Sequence, residues 1–281
     1  MASGKWQKIV GLRLIVKRKF WNSKLGFTLI ELSIVLVIIG LLAGGVLAGK
    51  DLIKASEIRA QVSQIEKLNA AVHTFQTKYN GLPGDLKYTE AGAFGLYVIT
   101  HAPYIGTRGE GDGNGYIESH NWPSNLLAGE PFMFFRHLSD AKLIDGNYGA
   151  NLDTAAEYAN GGAVNEYLPK GKIANTSIEA NYADDGYNYF VLTNIATFEA
   201  WGFNGQSLNA LAAQEAYNID QKIDNGLPAT GNVIAINAAG HRVLDQDSTW
   251  TTVSAVSGCV ASSAYAVTQT TQSCSLRFKF Q

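Results

Sequence analysis

Residues 24–45 read KLGFTLIELSIVLVIIGLLAGG, and no other stretch constrains the fold so strongly. The 23 positions from Phe27 to Gly49 carry one charged residue, Glu31. A helix rises about 1.5 Å per residue, so a segment this long crosses roughly 30 Å of hydrocarbon. Seven basic residues and no acid precede it, namely Lys5, Lys8, Arg13, Lys17, Arg18, Lys19 and Lys24. Past it, Lys50, Asp51, Lys54, Glu57 and Arg59 mix the two signs. The positive-inside rule then keeps the N-terminus in the cytoplasm and places the bulk of the chain across the membrane. Glu31 is the anomaly, because an ionised carboxylate in hydrocarbon costs on the order of a few kcal/mol or more.

A secretory signal peptide has a shorter apolar core, about 7–15 residues, followed by a small-x-small cleavage site. The core here is longer, and a helical pattern runs on beyond it. A plain bitopic anchor fits the length but gives no reason for Glu31. Ile58, Val62, Ile65, Leu68, Val72, Phe75 and Tyr79 recur at spacings of three and four, which predicts an amphipathic helix. Lys54, Glu57, Gln61, Gln64, Glu66, Lys67, Asn69 and Lys78 fill the other face. The helix is expected to stop at Asn80-Gly81-Leu82-Pro83-Gly84-Asp85, where Gly and Pro punctuate the chain. From Phe27 to Tyr79 that is about 80 Å of helix. Its outer stripe must be buried, first against the chain's own head and second against neighbouring subunits. Gly40, Gly44, Gly45 and Gly49 each weaken the helix by about 1 kcal/mol relative to Ala. They allow close helix approach or local melting, or are simply the small residues common in membrane helices.

Gly26-Phe27-Thr28-Leu29-Ile30-Glu31-Leu32 resembles the processing signature of type IV prepilins and type II secretion pseudopilins. The resemblance covers the basic leader, the apolar core and the following helix. It implies cleavage between Gly26 and Phe27 by a prepilin peptidase, which also N-methylates the new terminal Phe27. It also implies that Glu31 acts in assembly, pairing with the Phe27 amine of an incoming subunit. Pairing offsets much of the cost of a buried carboxylate. Type IVa pilins carry a proline kink in this helix; here no proline precedes Pro83, which is more like some pseudopilins. The expected division is a leader at 1–26, a transmembrane helix at 27–49, its amphipathic continuation at 50–79 and a head at 80–281. The expected location is the inner membrane, single-pass, with the N-terminus cytoplasmic and the head periplasmic, followed by assembly into a pilus or pseudopilus. The implied partners are the peptidase/methyltransferase, other pilin or pseudopilin subunits, the inner-membrane assembly platform and membrane lipid. The implied fold class is α+β, the long helix packed on a small antiparallel sheet. Within this resemblance the alternatives are a type IV pilus subunit, a type II secretion pseudopilin and a minor pilin with an adhesive head. The head is longer than that of a typical major subunit, which favours the last two. Outside it stands a membrane-anchored binding protein or enzyme that keeps its leader.

The head turns to Gly, Asn, Tyr and Ala in short runs. Residues 132–144 read as a helix closed by Asp145-Gly146, and residues 208–224 as a second helix with a Gly and Pro stop. Residues 187–193, 233–236, 265–268 and 276–280 read as strands. Cys259 and Cys274, the only cysteines, lie downstream of an export-like segment and point to a disulfide in an oxidising compartment, with two reduced core thiols as the alternative.

Beyond the leader the chain holds 15 basic and 24 acidic residues, a net charge of −9, which argues against a nucleic-acid partner. The five histidines are scattered, and there is no HExxH, GxSxG or CxxC, so neither catalysis nor zinc finds support. Asp184-Asp185 reads as a solvated turn. In the stretch GEGDGNGYIESHN, residues 109–121, Glu110, Asp112 and Asn114 alternate before Gly115, with Ile117 behind. That pattern resembles the start of a calcium loop, although the twelfth position is Asn121 instead of a bidentate Glu. A polar Gly-rich turn is the other reading.

Overall fold

The computed structural model describes residues 26–98, 111–118, 130–149, 164–183, 185–195, 207–236 and 258–280. The chain divides into two compact units, Met1–Lys50 and Asp51–Gln281. Helix α1, Leu29–Tyr79, begins in the first and ends in the second. It is long and apolar enough near the N-terminus to cross a membrane, by length and composition. In the first unit its large side chains are bare: Leu29 is 89% exposed and Leu41 72%. In the second unit the stripe takes over, and Ile58, Ile65, Leu68, Val72, Phe75 and Tyr79 are buried, with Val62 half-buried. The helix stops where expected. Asn80 turns left-handed at φ 56, its amide donates to the Gln76 carbonyl at 2.8 Å, and Pro83 follows.

The stripe shares one core cluster with the rest of the second unit. Helix α2 is Tyr88–Ala93 and α3 is Glu130–Asp140. Phe132, Phe134, Phe135 and Leu138 of α3 are buried in that cluster. Strand β1, Ser177–Ala183, pairs antiparallel with β2, Tyr187–Ile195, with Glu179 opposite Val191. The short β3, Ser207–Leu208, extends β2. Strands β4, Leu211–Ala212, and β5, Val233–Ile236, both pair with β8, Gln272–Lys279, which in turn pairs with β2. All these pairings are antiparallel, so the sheet runs β1-β2-β8-β4 with β3 and β5 attached. A separate hairpin joins β6, Val260–Ala261, to β7, Ala264–Tyr265. Helix α4, Ala213–Ile223, packs among β8, β4, β5 and β7. A long helix followed by a small antiparallel sheet is an α+β architecture of the pilin-like kind.

Ile178, Ala180, Phe190, Leu192, Leu276 and Phe278 form the apolar side of the sheet and belong to the main cluster. The alternate residues of β1, Glu179 and Asn181, are buried as well. Among the described residues neither Glu179 oxygen has a hydrogen-bond partner. Burial alone pushes its carboxyl up to about 8, so it is neutral near pH 7.

Several boundaries differ from the sequence expectation. α3 ends at Asp140, not Ile144, because Lys142 takes φ 60 and the Leu143 amide closes on the Leu138 carbonyl at 3.0 Å. Residues 207–212 are extended, not helical, since Leu211 is claimed by its pairing with Cys274. The strand expected over 265–268 ends at Tyr265. Cys259 and Cys274 form a disulfide with Cα atoms 5.1 Å apart, joining the hairpin's approach to β8.

That crosslink closes a 15-residue separation, worth about 3 kcal/mol in the chain-entropy account. Replacing both cysteines by Ala is expected to lower stability by about that amount, read as a shifted midpoint in denaturant, while thiol labelling of the unfolded wild type finds no free cysteine.

Candidate functional site

The N-terminus of α1 answers the question that Glu31 poses. Leu29 is the first helical residue, so Thr28 is the N-cap and Glu31 stands three residues beyond it. The Thr28 amide donates to Glu31 Oε2 at 2.8 Å, and the Thr28 hydroxyl donates to the same oxygen at 2.7 Å. In return the Glu31 amide donates to Thr28 Oγ1 at 3.3 Å. This reciprocal arrangement is a capping box, which satisfies orphan amides of the first turn. Both of these bonds go to Oε2, and among the described residues Oε1 accepts no hydrogen bond. Gly26 is exposed, and Phe27 is 80% exposed. Thr28 and Glu31 both follow Gly26, so cutting the chain there would leave the cap intact.

In the head, the Gly-rich loop folds around a carboxylate from the turn after α1. Glu110 lies outside the described residues. The loop's backbone wraps the carboxylate of Asp85, which accepts from the amides of Gly113 at 2.8 Å, Asn114 at 3.2 Å and Gly115 at 2.9 Å. Gly113 and Gly115 adopt φ 76 and 89, and a Cβ at Gly111 would run into the Asp85 backbone. Asp112 Oδ1 accepts from the Asn114 amide at 2.9 Å, and Asn114 Oδ1 accepts from the Tyr116 amide at 2.7 Å. Asp112 Oδ1 and Asn114 Oδ1 thus each close a turn within the loop. The loop is pinned to β2 by Asn188, whose Oδ1 accepts from the Ile117 amide at 2.8 Å.

Glu130, at the start of α3, completes the arrangement. Its Oε2 accepts from the Glu118 amide at 2.8 Å. Asp85, Asp112 and Glu130 bring oxygens within 4.8 Å of one another, the described carboxylate group whose spacing suits a cation. Two of the three are also pushed toward the neutral form. Burial raises Glu130 to about 9, with the charges of Asp85 and Asp112 adding to it. Burial raises Asp85 to about 6, against the pull of its three backbone donors. At neutral pH Glu130 therefore keeps its proton, while Asp85 is largely ionised. Beside it, Gly84 donates its amide to His137 Nδ1 at 3.0 Å, and His137 Nε2 lies 2.9 Å from the Tyr97 carbonyl. Burial lowers His137 to about 4, so the ring is neutral and bonded on both sides. Asp85, Gly84 and His137 thus lock the turn after α1 onto α3. Asp85 and Glu130 were not singled out by sequence reasoning, since they lie far from residue 112 along the chain.

The prokaryotic N-terminal methylation motif matches residues 21–47. This motif is the hallmark of the prepilin-type signal of type IV pilins and pseudopilins. It supports a pilin- or pseudopilin-like substrate of prepilin peptidase, a structural subunit in preference to an enzyme. Together with the apolar N-terminal helix it suits an inner-membrane-anchored pilin. No curated protein and no solved structure matches the chain.

The acidic cluster predicts a pH dependence of definite sign. Glu130 binds its proton more tightly folded than unfolded, so it favours the folded chain below about pH 4.5 and loses that contribution as pH rises toward about 9. One such proton changes stability by at most about 1.4 kcal/mol per pH unit. Glu130→Gln is expected to flatten the fall in stability between pH 5 and 9, measured by denaturant melts across that range.

Proposed function

We propose that the chain is a structural subunit of a type IV pilus-like filament. The carrying observation is the methylation motif at residues 21–47, set before a helix whose apolar half is bare in the isolated chain. In this reading residues 1–26 are the leader, removed after Gly26 at the cytoplasmic face, and Phe27 becomes the methylated terminus. Residues 27–49 hold the subunit in the inner membrane, residues 50–79 continue the helix, and residues 80–281 form the periplasmic head. An assembly platform then draws subunits out of lipid, and neighbouring helices replace lipid around the apolar half.

The capping geometry refines the role of Glu31. Oε2 accepts from Thr28, and Oε1, which accepts no bond among the described residues, meets the amine of an incoming Phe27. One carboxylate thus finishes its own helix and sets the axial register of the next. Glutamine at the same place also completes a capping box, since its side-chain oxygen accepts from the Thr28 amide. Glu31→Gln therefore separates the two roles, because it preserves the cap and removes the charge.

Intact-mass spectrometry of protein from the native cell is expected to give residues 27–281 plus one methyl group. A chain that still begins at Met1, or one cut elsewhere, overturns the reading. Glu31→Gln subunits are expected to be cut and to accumulate in the membrane, yet to form no filaments by themselves, because a broken buried pair costs about 3–5 kcal/mol. Filaments in normal amount from this variant, scored by shearing beside a membrane-fraction blot, would remove Glu31 from assembly.

A further inference from the structure

The outer half of α1 and two loops of the head enclose a cleft of about 650 Å³. Its polar lining includes Ser63, Gln64, Lys67, Lys142, Lys170 and Lys172, and Asp145 is the acid among the residues that line it. Three separate elements supply the four ammonium groups. Lys67 lies on α1. Lys142 sits at the left-handed residue that closes α3, with its amide donating to the Ser139 carbonyl at 3.0 Å. Lys170 and Lys172 flank Gly171 in a segment tied down to α1 from both ends. Gln64 Nε2 donates to the Lys170 carbonyl at 2.8 Å, and the Lys172 amide donates to Gln61 Oε1 at 2.7 Å. The backbones that carry the lysines are therefore fixed while their side chains remain exposed. Leu68, Ile144 and Tyr148 add apolar surface to the same cleft.

Like charges gathered in a concavity repel one another, and among the residues that line the cleft one acid, Asp145, stands against four lysines. Among the described residues none of the four lysines forms an ion pair. Nor is the patch a sample of the average surface, since the chain beyond Gly26 is net −9. A cleft lined by one sign of charge focuses its potential and concentrates ligands of the opposite sign. Its volume is that of a small-ligand site, which typically spans about 300–1,000 Å³. Lysine is a point charge on a flexible stem, suited to anions of varied geometry.

We propose that this cleft binds a compact multivalent anion, with carboxylate or phosphate groups carried on a sugar-sized scaffold. The lysines hold the acidic groups, Ser63 and Gln64 offer hydrogen bonds, and Tyr148 with Leu68 and Ile144 receives the apolar face of the scaffold. The site belongs to the folded head and does not depend on filament formation.

The test uses the full chain in non-ionic detergent micelles and isothermal titration calorimetry. Three probes are compared: a galacturonic acid trimer, inositol hexakisphosphate and a neutral galactose trimer. One or both acidic probes are expected to bind and the neutral trimer not to. Binding of the galacturonate trimer alone assigns the site to carboxylates, and of the inositol phosphate alone to phosphates. Lys170→Gln with Lys172→Gln should weaken binding about tenfold, as expected for two lost ion pairs. Lys87→Gln with Lys222→Gln makes the same change in net charge outside the cleft and should leave affinity unchanged. Raising salt from about 0.05 to about 0.5 M should weaken binding of the wild type. Equal affinity of the two double variants, equal binding of the neutral trimer, or no binding of either acid overturns the proposal.

Discussion

The burial of one helical stripe holds the head together. From Ile58 to Tyr79, α1 lends Ile65, Val72 and Phe75 to a core that also contains α3 and the apolar side of the sheet, and Phe75 is completely enclosed. The sheet has other apolar partners, whereas among the described residues the stripe leaves water through this core. Fully burying a side chain such as Phe or Ile contributes about 1.5–3 kcal/mol, so the stripe is a large share of what stabilises a domain of this size. The turn that follows is secured by polar means. Asp85 is held by loop amides and His137 by Gly84 and Tyr97, which fixes the chain's direction as it leaves the helix.

The other half of the same helix has the opposite surface chemistry. Its leucines, isoleucines and valines are exposed, and a chain with such a surface is stable only in lipid or against other apolar helices. The charge that makes this segment unusual, Glu31, is also a local structural element. The Thr28–Glu31 box satisfies the amides of Thr28 and Glu31 from within the chain, without water. Both bonds to the carboxylate use Oε2, so in the proposed assembly helix capping and subunit pairing use different oxygens.

How much was legible in the sequence varied with the range of the interactions. The long helix was readable from end to end, because a 3.6-residue period closed by Asn80-Gly81 and Pro83 is a local signal. The capping box was equally local, written as Thr28-x-x-Glu31, yet the charge in hydrocarbon drew attention to assembly instead. Strand β1 was not readable: both its faces are buried, and Glu179 and Asn181 break any alternation of apolar and polar residues. Residues 208–212 looked helical by pattern, but Leu211 meets Cys274 across the sheet, a tertiary contact that overrides local preference. The acidic cluster joins residues 85, 112 and 130, and the lysine cleft joins residues 67, 142, 170 and 172, so neither exists until the chain has folded. The glycines around Asp112 were visible, and their purpose, to wrap Asp85, was not.

Hydrogen–deuterium exchange of the full chain in micelles tests the division of α1 most directly. If the outer half belongs to the head's core, amides of residues 58–79 exchange as slowly as those of β2 and β8, and denaturant releases all three together while residues 29–49 keep the protection the micelle gives them. Release of residues 58–79 ahead of β2 and β8, or together with residues 29–49, would contradict a head built around its own helix.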